Sequence, residues 1–313
     1  MATTRDVTIT PIHPCLGAEV HGVDVTDCDE RTFRRIHDAF QEYSVLVFHD
    51  QRVTDDQQRA FTERFGPLET TIRSIGQEHR LGENLVDLSN TDPDDPRRLM
   101  GWSDRRMLYQ SGNQLWHTDS SFKPVPAMAS LLSGREVPPT GGETEFVSMR
   151  YAYAQLPEAT RQQLEGRIAV HSILYSRSTI APGLFNAEHE RELPPVRQAL
   201  VRTNPVNGRK AFYIGSHAWY IEGMPYEESR RLLDELLAET TRAERVLQHR
   251  WRQWDLVMWD NRAVLHRGRP WDAERYARIM RRTTLAGEGP TAEPQFARRT
   301  ERWTGIVPEG VGA

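Results

Sequence analysis

Cysteine is nearly absent: Cys15 and Cys28 are the two in 313 residues. One pair near one end of so long a chain is no disulfide framework, and both are expected to be reduced thiols. Long apolar runs are missing as well. None approaches the ~18 residues a membrane helix needs. The start, Met-Ala-Thr-Thr-Arg-Asp, lacks the charged-then-apolar pattern of a secretion signal, so the expected location is the cytoplasm. There is no excess of positive charge either. With 40 Lys and Arg against 44 Asp and Glu, the net charge is −4, which gives no footprint for nucleic acid and no polybasic stretch for a membrane surface. Internal repeats and Pro/Gly/Ser-rich linkers are also lacking. Residues 1–313 are therefore read as one domain, with a core over about 7–286 and a Gly/Pro-rich tail at 287–313.

What is present reads as short strands interleaved with helices. Residues 7–25 suggest strand and turn, and Ser44-Val-Leu-Val-Phe48 a buried strand. Phe33, Ile36 and Phe40 fall at helical spacing in 30–43, and Thr54-Asp-Asp-Gln caps a helix over 54–65. Residues 73–113 are polar and rich in Asp, Arg, Gly and Pro, an excursion long enough to suggest a lid. From 114 to 285 strand-like segments recur, including Met128–Leu132, Thr144–Val147, Ala169–Leu174, Lys210–Ile214, Asp255–Trp259 and Ala277–Leu285. A helix is expected at 226–243, its stripe of Leu232, Leu233, Leu236 and Leu237 serving core or subunit contact. The fold class is α+β, mainly β, and the pattern suits a double-sheet jelly roll with helices outside.

The motif that carries chemistry is His117-Thr118-Asp119, within Asn113-Gln-Leu-Trp-His-Thr-Asp-Ser-Ser-Phe122. On an extended strand the His and Asp would share a face and could bind one metal ion. A second histidine, His266, follows 149 residues later in Trp259-Asp-Asn-Arg-Ala-Val-Leu-His-Arg-Gly-Arg. Two imidazoles and a carboxylate on one face of an octahedron leave three positions open, the geometry of non-haem Fe(II) oxygenases. By itself H-x-D is a weak signal, since a buried hydrogen-bonded pair looks the same. The surroundings strengthen it. Arg278 and Arg282 lie on alternate positions of one strand, and a guanidinium there can grip a carboxylate through two parallel hydrogen bonds. A metal triad beside such an arginine suits a chelating 2-oxo acid. Spacing does not say which arginine meets which anion. Arg281 should face the other way, into solvent.

These stretches resemble the taurine/2,4-dichlorophenoxyacetate dioxygenase family of Fe(II)- and 2-oxoglutarate-dependent oxygenases. The likeness is carried by Ser44–Phe48, Arg64-Phe-Gly-Pro-Leu-Glu69, Leu115–Phe122, Pro138-Pro-Thr-Gly-Gly-Glu-Thr-Glu-Phe146, Gly215-Ser-His-Ala218, Trp259–Arg262 and Leu265–Arg269, in order along nearly the whole chain. Trp116–Phe122, Gly208-Arg-Lys210 and His266-Arg-Gly-Arg-Pro-Trp-Asp272 look closer to its aryloxyalkanoate branch. The resemblance implies a double-stranded β-helix, with His117, Asp119 and His266 as iron ligands. It implies Thr144 and Arg278 at the distal carboxylate of 2-oxoglutarate and Arg282 facing the anionic group of the organic substrate. Asn113, His217, Tyr213 and Tyr220 are candidate substrate contacts, with core packing as the competing reading; Gly215 would permit close backbone approach there.

The implied function is hydroxylation of a small organic carboxylate by Fe(II), 2-oxoglutarate and O2, releasing succinate and CO2. On an aryloxyalkanoate the outcome is ether cleavage. A sulfonate or sulfate ester, an amino acid or a natural-product intermediate would be served by the same cofactors. A jelly-roll protein that binds metal without catalysis is the reading from a different class. The expected partners are a small anionic substrate and further copies of the chain, with no nucleic acid and no membrane.

Overall fold

The computed structural model describes residues 7–70, 81–185 and 187–293. In chain order the strands are β1 (Thr8–Pro11), β2 (Ala18–His21), β3 (Val45–Phe48), β4 (Leu85–Asp87) and β5 (Ala129–Glu136). There follow β6 (Thr144–Ser148), β7 (Ile168–His171), β8 (Val196–Ala199), β9 (Val201–Thr203) and β10 (Lys210–Phe212). The last five are β11 (Ala218–Ile221), β12 (Leu247–His249), β13 (Leu256–Asp260), β14 (Val264–Gly268) and β15 (Ile279–Leu285). The helices are α1 (Glu30–Tyr43), α2 (Asp55–Glu63), α3 (Arg105–Gln110), α4 (Met149–Ala154), α5 (Glu158–Leu164), α6 (Ile173–Ser178), α7 (Ala187–Glu192) and α8 (Tyr226–Thr240).

A seven-stranded sheet runs β1-β2-β3-β13-β5-β15-β4, and a three-stranded sheet runs β12-β6-β14. Side chains alternate across a strand, so register decides which face each serves. Ala129, Leu131, Leu256, Met258 and Leu285 share one face of the large sheet and pack against Ile36 and Phe40 of α1 and Phe61 of α2. Leu132, Val257, Trp259 and Met280 share the other face and meet Phe146, Leu247 and Val264 of the small sheet. The two sheets thus close on a common apolar core. Burial of each such side chain contributes roughly 1.5–3 kcal/mol. Beyond the small sheet, Val147 and Leu265 point into another cluster with Leu233 and Leu236 of α8.

Local chemistry fixes the helix ends. The Asp29 carboxylate accepts the Thr32 N–H to start α1, and Ser44 ends it in the left-handed region at φ 61°. Thr54 and Gln57 form a reciprocal capping box on α2.

Several expectations need correction. The stretch 169–174 is not one strand: β7 stops at His171, and the Ser172 hydroxyl accepts the Tyr175 N–H to begin α6. Residues 81–113 are no plain excursion but hold β4, α3 and a 3-10 turn at Ser111–Gln114; 73–80 lie outside the described residues, as do 294–313 of the expected tail. Arg281 is not solvated. β4 pairs with β15 so that Arg281 stands opposite Asp87, and its guanidinium bonds Asp87 Oδ1 at 2.6 Å and Ser89 Oγ at 2.9 Å. The leucine stripe of α8 is used by the core: Leu233 and Leu236 are buried, with Leu232 and Leu237 packed alongside.

Candidate active site

His117 and Asp119 do not sit on a continuous strand. Residue 117 makes a single antiparallel bridge with His266, N to O at 3.0 Å and 2.8 Å, and the chain then turns, with Ser120 at φ 56°. The Thr118 hydroxyl between them anchors on the Asn261 carbonyl at 2.7 Å. The Asn261 side chain accepts the Asp119 N–H at 3.2 Å and the Trp259 indole N–H at 3.0 Å. The turn before β14, which contains Asn261, therefore also shapes the His-x-Asp segment.

That scaffold brings three buried side chains together. One ligand atom each from His117, Asp119 and His266 lies within 4.8 Å of the others. His117 Nε2 is 3.9 Å from Asp119 Oδ1, and His266 Nε2 is 3.8 Å from Asp119 Oδ2. His117 Nδ1 lies 2.7 Å from the Leu115 carbonyl. A proton on Nδ1 leaves the Nε2 lone pair facing Asp119, as a metal ligand requires. The Ser130 hydroxyl donates to Asp119 Oδ2 at 2.7 Å, and Arg282 Nη1 donates to Asp119 Oδ1 at 2.5 Å.

The electrostatics suit a cation. Burial raises the Asp119 pKa, but the charges of Arg282 and the two histidines and the Ser130 bond outweigh it and hold the carboxyl well below the usual range. Burial lowers His117 to about 4 despite Asp119, with Arg177 adding to the fall. His266 is driven well below its ordinary value by burial and by His117. The group therefore offers one anion and two neutral imidazoles at neutral pH, a donor set that fits a divalent metal of intermediate softness.

Two cavities meet here. The first is lined by His117, His266, Thr144, Trp259, Arg278 and Arg282, with Leu88, Leu132 and Trp271 among its apolar walls. Thr144, Phe146, Val264 and His266 share the inner face of the small sheet, because β6 and β14 pair with His266 opposite Phe146. Trp251 Nε1 donates to Thr144 Oγ1 at 2.9 Å. Arg278 is buried; Nη2 donates to the Gly142 carbonyl at 3.3 Å, while Nε has no partner among the described residues. Burial lowers its pKa to about 10, with Glu143 opposing.

The second cavity is lined by His117, Asp119, Asn113, His217, Arg177 and Arg282, with Glu69, Lys123 and Phe122 also on its walls. His217 is held by Ser176, Oγ to Nδ1 at 2.8 Å, and its ring lies edge-on to Phe122 at 5.0 Å. The nearby bend is at Gly215, φ 124°, where a Cβ would come within 3.1 Å of the Trp116 carbonyl and 3.3 Å of His117 Cα. That close approach was expected.

Tyr213 and Tyr220 were expected beside His217 but line neither cavity. Tyr213 is buried in the core with its ring stacked on His171 at 5.5 Å, and Tyr220 packs with Val170 and Trp219. Gly215 bends the chain between Tyr213 and His217, and Tyr220 lies on β11 beyond it. Sequence reasoning missed Ser130, Trp251 and Arg177. Arg177 was hidden by the reading of 169–174 as strand; on a helix begun at Ser172 it lies one turn from Ile173, and both face the second cavity.

The comparisons with known proteins follow the same lines. The model of the "Taurine catabolism dioxygenase TauD, TfdA family" matches residues 8–284. The alpha-ketoglutarate-dependent 2,4-dichlorophenoxyacetate dioxygenase of Cupriavidus pinatubonensis is 42% identical over 89% of this chain and 98% of its own length. The (S)-phenoxypropionate/alpha-ketoglutarate-dioxygenase of Sphingobium herbicidovorans is 37% identical over 92% and 98%. A crystal structure of AAD-2 in complex with Mn(II) and N-oxalylglycine superposes with a TM-score of 0.84 at 40% identity, covering 93% of this chain and all of that one. With the family model matching residues 8–284 and relatives 37–42% identical over about nine-tenths of its length, the chain belongs to the taurine catabolism dioxygenase TauD/TfdA family.

Proposed function

We propose that this protein is an Fe(II)- and 2-oxoglutarate-dependent dioxygenase that oxidises a small organic carboxylate, with an aryloxyalkanoate as the favoured substrate class. The observation that carries this reading is the buried His117–Asp119–His266 group opening onto a cavity whose wall holds Arg278, a buried guanidinium with no carboxylate at ion-pair distance among the described residues. Bound at that group, iron with 2-oxoglutarate and O2 would supply the oxidising power, with succinate and CO2 as co-products.

The chain's own residues would bind and orient. His117, Asp119 and His266 are the proposed metal ligands, Asp119 aligned by Ser130 and Arg282. Thr144, aligned by Trp251, and Arg278 are the proposed partners of the distal carboxylate of 2-oxoglutarate. N-oxalylglycine, named in the AAD-2 complex, has the 2-oxoglutarate skeleton with NH in place of one CH2. Arg282 borders both cavities and adds positive charge where an organic anion would approach, while Asn113 and His217 line that side. Leu88, Leu132 and Trp259 give the first cavity apolar walls. Hydroxylation at the carbon bearing an aryl ether oxygen gives a hemiacetal-like product, which collapses to a phenol and a 2-oxo acid.

We read the paired sheets as a double-stranded β-helix in one domain. The free thiols of Cys15 and Cys28 fit a reducing compartment, and we propose the cytoplasm. No helix among the described residues is long and apolar enough to cross a membrane. A homo-oligomer would use a surface other than the leucine stripe of α8. Sulfate esters are a second class to test, since an alpha-ketoglutarate-dependent sulfate ester dioxygenase of Pseudomonas putida is 30% identical over 96% of this chain. The test is succinate release with Fe(II) and ascorbate across phenoxyacetate, both phenoxypropionate enantiomers, taurine, an alkyl sulfate and amino acids. Phenol and succinate appearing together from an aryloxy acid is the expected result. Succinate tied to the sulfate or an amino acid would move the substrate class.

A further inference from the structure

Arg177 is buried and has no carboxylate at ion-pair distance among the described residues, feeling Asp119 only from further off. Four arginines are buried among the described residues: Arg106, Arg177, Arg262 and Arg278. Arg106 and Arg262 pair with Asp87 and Asp260 at 3.4 and 2.8 Å. Arg278 has been placed with 2-oxoglutarate. Arg177, only 4% exposed, donates from Nη2 to Asn113 Oδ1 at 3.0 Å, while Nε and Nη1 have no partner among the described residues. Leaving a buried guanidinium without an anion costs several kcal/mol, so the position calls for a ligand that supplies one.

The setting favours an incoming carboxylate. The guanidinium lies 5.3 Å from the Tyr109 ring centroid and flat over Gly112, where any Cβ would overlap Cζ, Nε and Nη1. The Nε and Nη1 donors are left unmatched there, beside the one bond from Nη2 to Asn113. Of the other cations on the second cavity, Lys123 is paired with Glu69 and Arg282 with Asp119. The same cavity reaches His117 and Asp119, and Val86, Leu88, Phe122 and Ile173 give it apolar walls.

We propose that Arg177 anchors the carboxylate of the organic substrate, with Gly112 kept small to seat the guanidinium and the aromatic body lying against Phe122 and Ile173. The proposal rests on the reading of that substrate as a small carboxylate. It adds to Arg282, which is also engaged with Asp119, a second anion contact on the same cavity, carried by α6.

The test is calorimetric. Protein loaded with Mn(II) and 2-oxoglutarate is titrated with phenoxyacetate and with the neutral phenoxyacetamide, for the parent, Arg177→Gln and Gly112→Ala. Loss of one charged partner should weaken phenoxyacetate binding by about 30-fold or more in Arg177→Gln. Gly112→Ala, which displaces the guanidinium without removing it, should weaken it in the same direction. The amide should bind all three alike, and retained 2-oxoglutarate binding reports an intact fold. Phenoxyacetate binding that is undetectable in the parent, or unchanged in both variants, overturns the proposal; equal loss of acid and amide overturns it in favour of a structural role. A parent that binds phenoxyacetate through Arg177 but releases no phenol contradicts the reaction and spares the anchor. Equal phenol release by Arg177→Gln at limiting substrate does the reverse.

Discussion

The two cavities that meet at His117 and Arg282 differ in how their buried arginine is held. In the first, Arg278 is framed by backbone and by Trp271 at 5.2 Å, on an extension of a sheet strand. In the second, Arg177 stands on the short helix α6 and lies on a 3-10 turn. A sheet strand holds one guanidinium at a set place beside the metal group, as the unvarying half of a reaction needs. Neither α6 nor the turn carries a member of that group. On the proposed reading, co-substrate falls to the sheet side and substrate choice to the helix side.

The largest effect should come from the group both cavities share. His117→Ala or Asp119→Ala should bring iron-dependent succinate release to background with every substrate; full activity in either variant would remove the triad from the mechanism. Next, Arg278→Gln should raise the KM for 2-oxoglutarate by about 30-fold or more, the consequence of about 2 kcal/mol or more for a lost buried charge partner. A change confined to the organic substrate would invert the assignment. Ser130→Ala removes the hydroxyl that orients Asp119 and should weaken metal affinity about 10- to 100-fold, measured by competition with a chelator. Unchanged affinity would make the Ser130 bond incidental. The smallest effect is expected from Trp251→Phe, which loses one hydrogen bond to Thr144. That is worth about 1 kcal/mol, or about fivefold in 2-oxoglutarate KM, and the organic substrate should not notice it.

Acidity separates the buried histidines from the paired carboxylates. His117 is lowered to about 4 and His171 to about 3, both chiefly by burial. Such groups stay neutral in the native protein but take up a proton on unfolding at the ordinary value of 6.5. Their contribution is complete above 6.5 and is lost as pH falls from there through about 4 for His117 and about 3 for His171. Denaturant titration of metal-free protein should show stability falling across that window. His171→Phe, which keeps a ring against Tyr213, should flatten the slope; an equal slope would assign the loss to other groups.

Much of this was legible in the chain. Helix α1 announces itself through the spacing of Phe33, Ile36 and Phe40, and α2 through the Thr54 cap, because periodicity and caps are local chemistry. His117, Asp119, His266, Arg278 and Arg282 came from motif and spacing and Thr144 from the family resemblance, and all six line the two adjoining cavities. Arg177 was not legible, because a capping serine after a β-rich run reads as more strand, and its burial is decided by Tyr109 and Gly112 more than sixty residues away. Tyr213 and Tyr220 were candidates because they share a short segment with His217, but neighbours in sequence need not share a wall, and both pack into apolar clusters. Arg281 was misread because β4, its pairing partner, lay in a segment whose composition hid a strand.

The most direct test of the division between the cavities is a crossed steady-state measurement. Succinate formation is followed while 2-oxoglutarate and phenoxyacetate are varied in turn, for the parent, Arg278→Gln and Arg177→Gln. The account predicts that Arg278→Gln raises the KM for 2-oxoglutarate alone and Arg177→Gln the KM for phenoxyacetate alone. Both variants raising the same KM would contradict it.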